Sequence, residues 1–174
     1  MTQTHLVVMG VAGCGKSTVA KALQERLGWI VAEGDDYHPA SNIAKMSSGI
    51  PLSDEDRWPW LDTIAAWTAE QDRAGLPTIV TCSALRRVYR DRLRAAPGRT
   101  VFVHLTGTPE LLTARMAART DHFMPPTLLP SQLATLEPLQ ADEEAIVIDI
   151  DRSIDEIAEV AISQLHLASA PHHA

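Results

Sequence analysis

An apolar stretch, Leu6-Val7-Val8-Met9, runs straight into Gly10-Val11-Ala12-Gly13-Cys14-Gly15-Lys16-Ser17, and this junction constrains the chain more than any other segment. The octapeptide reads G-x-x-x-x-G-K-S. In that pattern glycines let backbone N–H groups wrap a polyphosphate, Lys16 reaches the β- and γ-phosphates, and the Ser17 hydroxyl ligates Mg²⁺. The loop works between a strand and a helix, and both flanks are present. Residues 6–9 read as a short buried strand, and Val19, Ala20, Leu23 and Leu27 recur at helical spacing across residues 16–27. N–H groups at the helix start add partial positive charge to an anion site. Gly10, Val11, Ala12, Gly13, Cys14, Gly15, Lys16, Ser17 and Thr18 are thus the expected contacts of a nucleoside triphosphate.

Downstream, strands are predicted at residues 29–33, 78–82, 100–105 and 145–149. Helices are predicted at 39–46, 54–74, 86–96, 109–119, 131–137 and 153–167. This alternation implies an α/β fold, a five-stranded parallel sheet flanked by helices with right-handed crossovers. Ligands of such sheets lie beyond the carboxyl ends of the strands. Three strand ends are therefore expected to face the phosphate loop: Glu33-Gly34-Asp35, Cys82-Ser83-Ala84 and Asp149-Ile150-Asp151.

With 174 residues the chain reads as one domain, 1–174, with a loose tail at 169–174. Its 45% hydrophobic and 21% charged residues fit a soluble globular protein, and no apolar run is long enough to span a bilayer. No basic, signal-like start precedes the first strand, so the expected compartment is the cytoplasm. A net charge of −7 argues against nucleic acid as a partner. Cys14 and Cys82 have neither a disulfide framework nor a metal-ligand spacing and are assigned to packing.

A kinase acting on an alcohol must orient the hydroxyl, take its proton, hold Mg²⁺ and neutralise the phosphoryl group in transfer. Asp35 is the candidate for the first two tasks. Glu33, two residues earlier on the same strand face, is the candidate for holding Mg²⁺ through water. The alternative is that both are turn residues. Thr108-Pro109-Glu110 is a helix start, and Arg115 and Arg119 share a face at that helix's far end. They either complement the helix dipole or serve a lid over about 120–130, a stretch with His122, Phe123 and three prolines, from whose base Arg119 reaches the γ-phosphate.

From Arg86 to Arg99 six arginines face one acid, Asp91; most read as a solvated helix face, with Arg86 an open candidate for anion binding. Lys45, Arg57 and His38 stay open between substrate contacts and surface or helix-start roles, and Arg57 suits a carboxylate clamp. Trp58, Trp60 and Trp67 are assigned to packing.

The strings Glu33-Gly34-Asp35-Asp36-Tyr37-His38-Pro39, Asn42-Ile43-Ala44-Lys45-Met46, Gly49-Ile50-Pro51-Leu52, Asp56-Arg57 and Pro59-Trp60-Leu61 closely resemble the gluconate kinases. Cys82-Ser83-Ala84-Leu85-Arg86, Tyr89-Arg90-Asp91, Ala118-Arg119, His122-Phe123, Ser131-Gln132 and Leu136-Glu137 extend the match, which runs from the first strand to about Asp151. The resemblance implies ATP- and Mg²⁺-dependent phosphorylation of D-gluconate at its 6-hydroxyl on a P-loop, nucleoside-monophosphate-kinase-like fold with a mobile lid, as a homodimer. It makes Asp35 the base and Arg57 the carboxylate ligand. His38, Lys45, Ser83 and Arg86 would line the sugar-acid pocket, Arg119 and His122 would arrive from the lid, and Arg115 would stack on adenine. The nearest rival is a kinase for another hydroxy acid such as shikimate. A GTPase switch is disfavoured, since no Asn-Lys-x-Asp motif occurs and Asp72-Arg73-Ala74-Gly75 lies away from any strand end.

Overall fold

Strand β1 (Thr4–Met9) sends Leu6 and Val8 into one apolar layer and Val7 and Met9 into another, and all four are buried. Two-sided burial of this kind requires cover on both faces of a sheet. The computed structural model describes residues 3–118 and 129–167, and within them five parallel strands lie in the order β2-β3-β1-β4-β5. The others are β2 (Ile30–Glu33), β3 (Thr78–Thr81), β4 (Arg99–Thr106) and β5 (Ala145–Asp149). Register is continuous: Val7 pairs with Val80 of β3 on one side and with Phe102 of β4 on the other. β1, which carries the phosphate loop, is therefore the central strand.

Helices α1 (Lys16–Leu27) and α7 (Ile154–Gln164) cover one face, where Val19, Leu23 and Ile157 meet Leu6, Ile79 and Val103. On the other face α3 (Asp54–Arg73) and α4 (Arg87–Arg94) bring Trp60, Leu61, Ile64, Tyr89 and Leu93 onto Val7, Val80 and Phe102. Each fully buried aliphatic or aromatic side chain stabilises the fold by roughly 1.5–3 kcal/mol relative to exposure. Between β2 and α3 run a 3-10 turn, Gly34–Tyr37, and α2 (Ala40–Ser47); α5 (Pro109–Ala117) and α6 (Leu129–Thr135) follow β4. The α3 start is fixed by a capping box. The Ser53 hydroxyl accepts from the Asp56 N–H, and the Asp56 carboxylate accepts from the Ser53 N–H.

Predicted and observed elements agree within a few residues at their ends, and the fifth strand coincides. The 3-10 turn was not foreseen, and β3 stops at Thr81, leaving Cys82 buried just beyond it. The arginine run requires a correction. Arg90 is not on a solvated face: its side chain is 0% exposed and forms a two-pronged pair with the equally buried Glu143, at 2.7 and 3.1 Å. Its remaining donors reach the Ala84 and Pro138 carbonyls. A helix face looks solvated in sequence until a distant acid, here 53 residues on, is folded against it.

Candidate active site

The phosphate loop is braced from within, as Lys16 Nζ donates to the carbonyls of Gly10 at 3.0 Å and Val11 at 3.3 Å. Gly15 turns the chain into α1 with φ +89, a conformation that disfavours any side chain although a Cβ there would meet only Arg115 Nη1, 4.0 Å away. Arg115 therefore lies beside the loop, and it donates to the Ile150 carbonyl at 3.0 Å. The end of the fifth strand thus touches an arginine beside the loop, but, against expectation, it is not among the residues lining the cleft between the loop and the ends of β2 and β3. β5 lies on the opposite side of β1 from β2 and β3, the two strands whose ends line the cleft. From the other side the Ala12 N–H donates to Gln132 Oε1 of α6 at 2.6 Å.

Glu33 and Asp35 bracket one glycine, and the peptide between them is clamped. Glu33 Oε2 accepts from the Ser17 hydroxyl at 2.9 Å and from the Thr81 hydroxyl at 2.6 Å. Thr81 Oγ1 in turn accepts from the Gly34 N–H at 3.2 Å, while the Gly34 carbonyl accepts from Trp60 Nε1 at 2.7 Å. A Cβ on Gly34 would lie 2.0 Å from the Thr81 carbonyl oxygen, so only glycine lets β2 pass so close to β3. The clamp fixes the spacing of the two acids.

Trp60 also stacks on His38, with ring centroids 3.9 Å apart and an interplanar angle of 18°. Asn42 Nδ2 donates to His38 Nδ1 and to the Asp56 carbonyl, which leaves the imidazole proton on Nε2, 3.7 Å from Asp35 Oδ1. Burial pushes the His38 pKa down to about 4, with Arg57 assisting and Asp35 opposing, so the ring is neutral at pH 7.

A cleft, open at its mouth, joins these groups. Its lining includes Ala12, Lys16 and Ser17 of the phosphate loop, Glu33, Asp35, Thr81 and Ser83 from the ends of β2 and β3 and just beyond them, and His38, Trp60 and Arg57. Arg57 Nη1 donates to the Leu52 carbonyl at 2.6 Å and to the Tyr89 hydroxyl at 2.9 Å; among the described residues no carboxylate pairs with it directly.

Lys45 and Arg86 are not brought to the cleft. Lys45 pairs with Asp56 at 2.7 Å, and its hydrogen bond, with those from Ser53, holds the Asp56 pKa down to about 2. Arg86 pairs with Asp54 at 2.6 Å and Glu137 at 3.6 Å. Arg119, His122 and most of the expected lid, with the tail at 169–174, lie outside the described residues. Sequence reasoning missed the site positions of Thr81 and Gln132 and gave Trp60 to packing alone. The only signal was their closeness in sequence to strand ends or family motifs. Cys82 is inert as assigned: burial pushes its thiol up to about 12.

A family model described as an AAA domain matches residues 6–124. A gluconokinase of Gluconobacter oxydans is 48% identical over 157 residues, covering 90% of this chain and 88% of that protein. The chain belongs to the gluconokinase family. Solved relatives agree: a sugar kinase from Janibacter superposes with a TM-score of 0.92 at 49% identity, covering 95% of this chain and 96% of its own. A gluconokinase from Sinorhizobium meliloti superposes with a TM-score of 0.82 at 46% identity, covering 95% and 93%.

For a gluconokinase-family chain, the oxygen set of Ser17, Glu33 and Thr81 has the chemistry that Mg²⁺ prefers. Among the described residues no cluster of three or more His, Cys, Asp or Glu side chains is arranged as a metal cage. Such a site suits an ion that keeps waters and shares phosphate oxygens.

Proposed function

We propose that the protein is a gluconokinase, transferring the γ-phosphoryl group of ATP to the 6-hydroxyl of D-gluconate. One observation carries the reading: a single cleft is lined by the phosphate-loop residues Lys16 and Ser17, by Asp35 and by Arg57, in a chain of the gluconokinase family. The donor end is the loop from Gly10 to Thr18, where Lys16 neutralises phosphate charge. Arg115 beside Gly15 serves the adenine side.

At the acceptor end Asp35 takes the hydroxyl proton as the oxygen attacks phosphorus in line, and neutral His38 presents its Nε2–H near the same carboxylate. Arg57 pairs with the substrate carboxylate, and Ser83 adds a hydroxyl to the lining. Ser17 directly and Glu33 through water would hold Mg²⁺, which when bound would offset the negative charge of the phosphates. By family resemblance His122 would serve a lid over about 120–130 that excludes water, with Arg119 at its base. Lys45 and Arg86 support the wall through Asp56 and Asp54. The domain reading is one kinase unit over 1–174, and the family reading extends to a cytoplasmic homodimer, which sedimentation of the purified chain tests. No helix among the described residues is long and apolar enough to cross a membrane.

Shikimate would also offer a hydroxyl and a carboxylate to Asp35 and Arg57, so the test is a panel of hydroxy acids at fixed ATP with coupled ADP detection. Gluconate is expected to be turned over far better than shikimate; turnover of shikimate without gluconate would overturn the assignment.

A further inference from the structure

Tyr89 of α4 is 2% exposed and lies outside the cleft lining, yet it touches the cleft's cation in two ways. Its hydroxyl accepts from Arg57 Nη1 at 2.9 Å, and its ring lies under the same guanidinium, 4.9 Å from Cζ to centroid. The hydroxyl in turn donates a hydrogen bond to Asp54 Oδ1. Asp54 is already the partner of Arg86, whose guanidinium sits 5.6 Å from the Tyr89 ring centroid. With the Leu52 carbonyl, these contacts hold Arg57 by a carbonyl, a phenol oxygen and an aromatic face.

The arrangement solves a specific electrostatic problem. A carboxylate bonded directly to Arg57 would stabilise it but would compete with an incoming anion for the same fork of donors. Tyr89 is interposed, so the Asp54 charge acts on Arg57 through a polarised hydroxyl. Both Arg57 bonds start from Nη1, so Nε and Nη2 have no partner among the described residues. A free arginine loses considerable rotamer entropy when a ligand immobilises it; one already held between a ring and two acceptors loses much less.

We infer that Tyr89 is a positioning residue for carboxylate recognition, its ring and hydroxyl together presenting the Arg57 guanidinium to the acid group of the acceptor. This rests on the reading of Arg57 as the carboxylate ligand. The test measures KM for gluconate, KM for ATP and kcat for wild type, Tyr89→Phe, Arg57→Ala and the double variant, with D-glucitol as an acceptor of the same chain length lacking the carboxylate.

Tyr89→Phe keeps the ring and deletes the hydroxyl. It is expected to raise KM for gluconate about tenfold, the scale of one hydrogen bond to a charged group. KM for ATP, kcat and the weak use of glucitol should stay within about twofold, and the variant should have no further effect once Arg57 is alanine. An unchanged gluconate KM in Tyr89→Phe, alongside a raised one in Arg57→Ala, overturns the Tyr89 role alone. An equal rise in both backgrounds also overturns it, because Tyr89 would then act independently of Arg57. An unchanged KM in Arg57→Ala removes the clamp and the positioning role together. Should Tyr89→Phe fail to fold, Asp54→Asn probes the same bonds from their far end, with a rise in gluconate KM expected only where Arg57 is present.

Discussion

Replacing Glu143 by glutamine would leave the Arg90 guanidinium buried without its main counter-charge. Both side chains are 0% exposed, and the pair is joined by two bonds, Nε to Oε1 at 2.7 Å and Nη2 to Oε2 at 3.1 Å. The Gln140 N–H adds a third bond to Oε2 at 2.8 Å, and Arg94 approaches Oε1 at 2.9 Å. Glutamine fits the volume but turns an NH₂ toward donors on one side, so at least one buried N–H loses its acceptor. Breaking a buried pair from one end costs about 3–5 kcal/mol. In a chain of this size each kcal/mol moves Tm by roughly 2–4 °C, so Glu143→Gln should melt about 6–20 °C lower by calorimetry at pH 7.

The double replacement Arg90→Met with Glu143→Leu should recover most of that loss, because it removes both ions and their desolvation cost. Burial works to raise the Glu143 pKa, but hydrogen bonds from Arg90, the Gln140 N–H and Arg94 outweigh it and hold the carboxyl below its usual range. The contribution is therefore complete above the unfolded pKa, about 4.3, and is lost as pH falls through the lower folded value. A Tm drop under about 3 °C for Glu143→Gln, or a gap from wild type that widens in acid, would refute the reasoning.

Three further outcomes are expected. Asp35→Asn should bind ATP normally, as read with a fluorescent nucleotide, while kcat falls about 10²-fold or more; near-normal kcat would remove Asp35 as the base. Burial lowers both His38 and His104 to about 4, so between about pH 6.5 and 4 the unfolded chain takes up more protons and stability falls with pH. Urea midpoints should decline from pH 7 to 5, and less steeply in a His38→Gln, His104→Gln variant; equal slopes would contradict neutral buried rings. Thr81→Val preserves shape but strips the Gly34 N–H and Glu33 of a partner, so it should cost about 1–3 kcal/mol in urea unfolding. If Glu33 serves the metal as proposed, the same variant should weaken Mn²⁺ binding in the presence of ADP, measured by electron paramagnetic resonance, and unaltered binding would rule out a link from Thr81 through Glu33 to the metal.

Much of the donor half was legible because its signals are local. Glycine, lysine and serine at fixed offsets, flanked by a buried run and a helical period, encode a loop conformation that needs no knowledge of distant residues. The same holds for the capping residues Ser53 and Thr108, whereas Asp35, expected on the strand face of Glu33, sits in the 3-10 turn that follows β2. The acceptor side was legible mainly through family resemblance, since neither spacing nor composition distinguishes a cation facing a cleft from one paired behind it.

That difference has a physical origin in reach. Lysine and arginine side chains choose whichever carboxylate the fold brings near, so Lys45 turned to Asp56, Arg86 to Asp54 and Arg90 to Glu143, at separations of 11, 32 and 53 residues. Tertiary structure also set the strand order that puts β5 on the opposite side of β1 from β2 and β3, whose ends line the cleft. It gave Thr81, Trp60 and Tyr89 their roles by laying β3 and α3 against the β2 end and α4 against α3. By itself the sequence determined that an α/β chain binds a nucleoside triphosphate between β1 and α1, because backbone conformation there is written in consecutive residues. Only the packed structure decided which cation stands open in the acceptor cleft, because that depends on which acids the other elements carry to it.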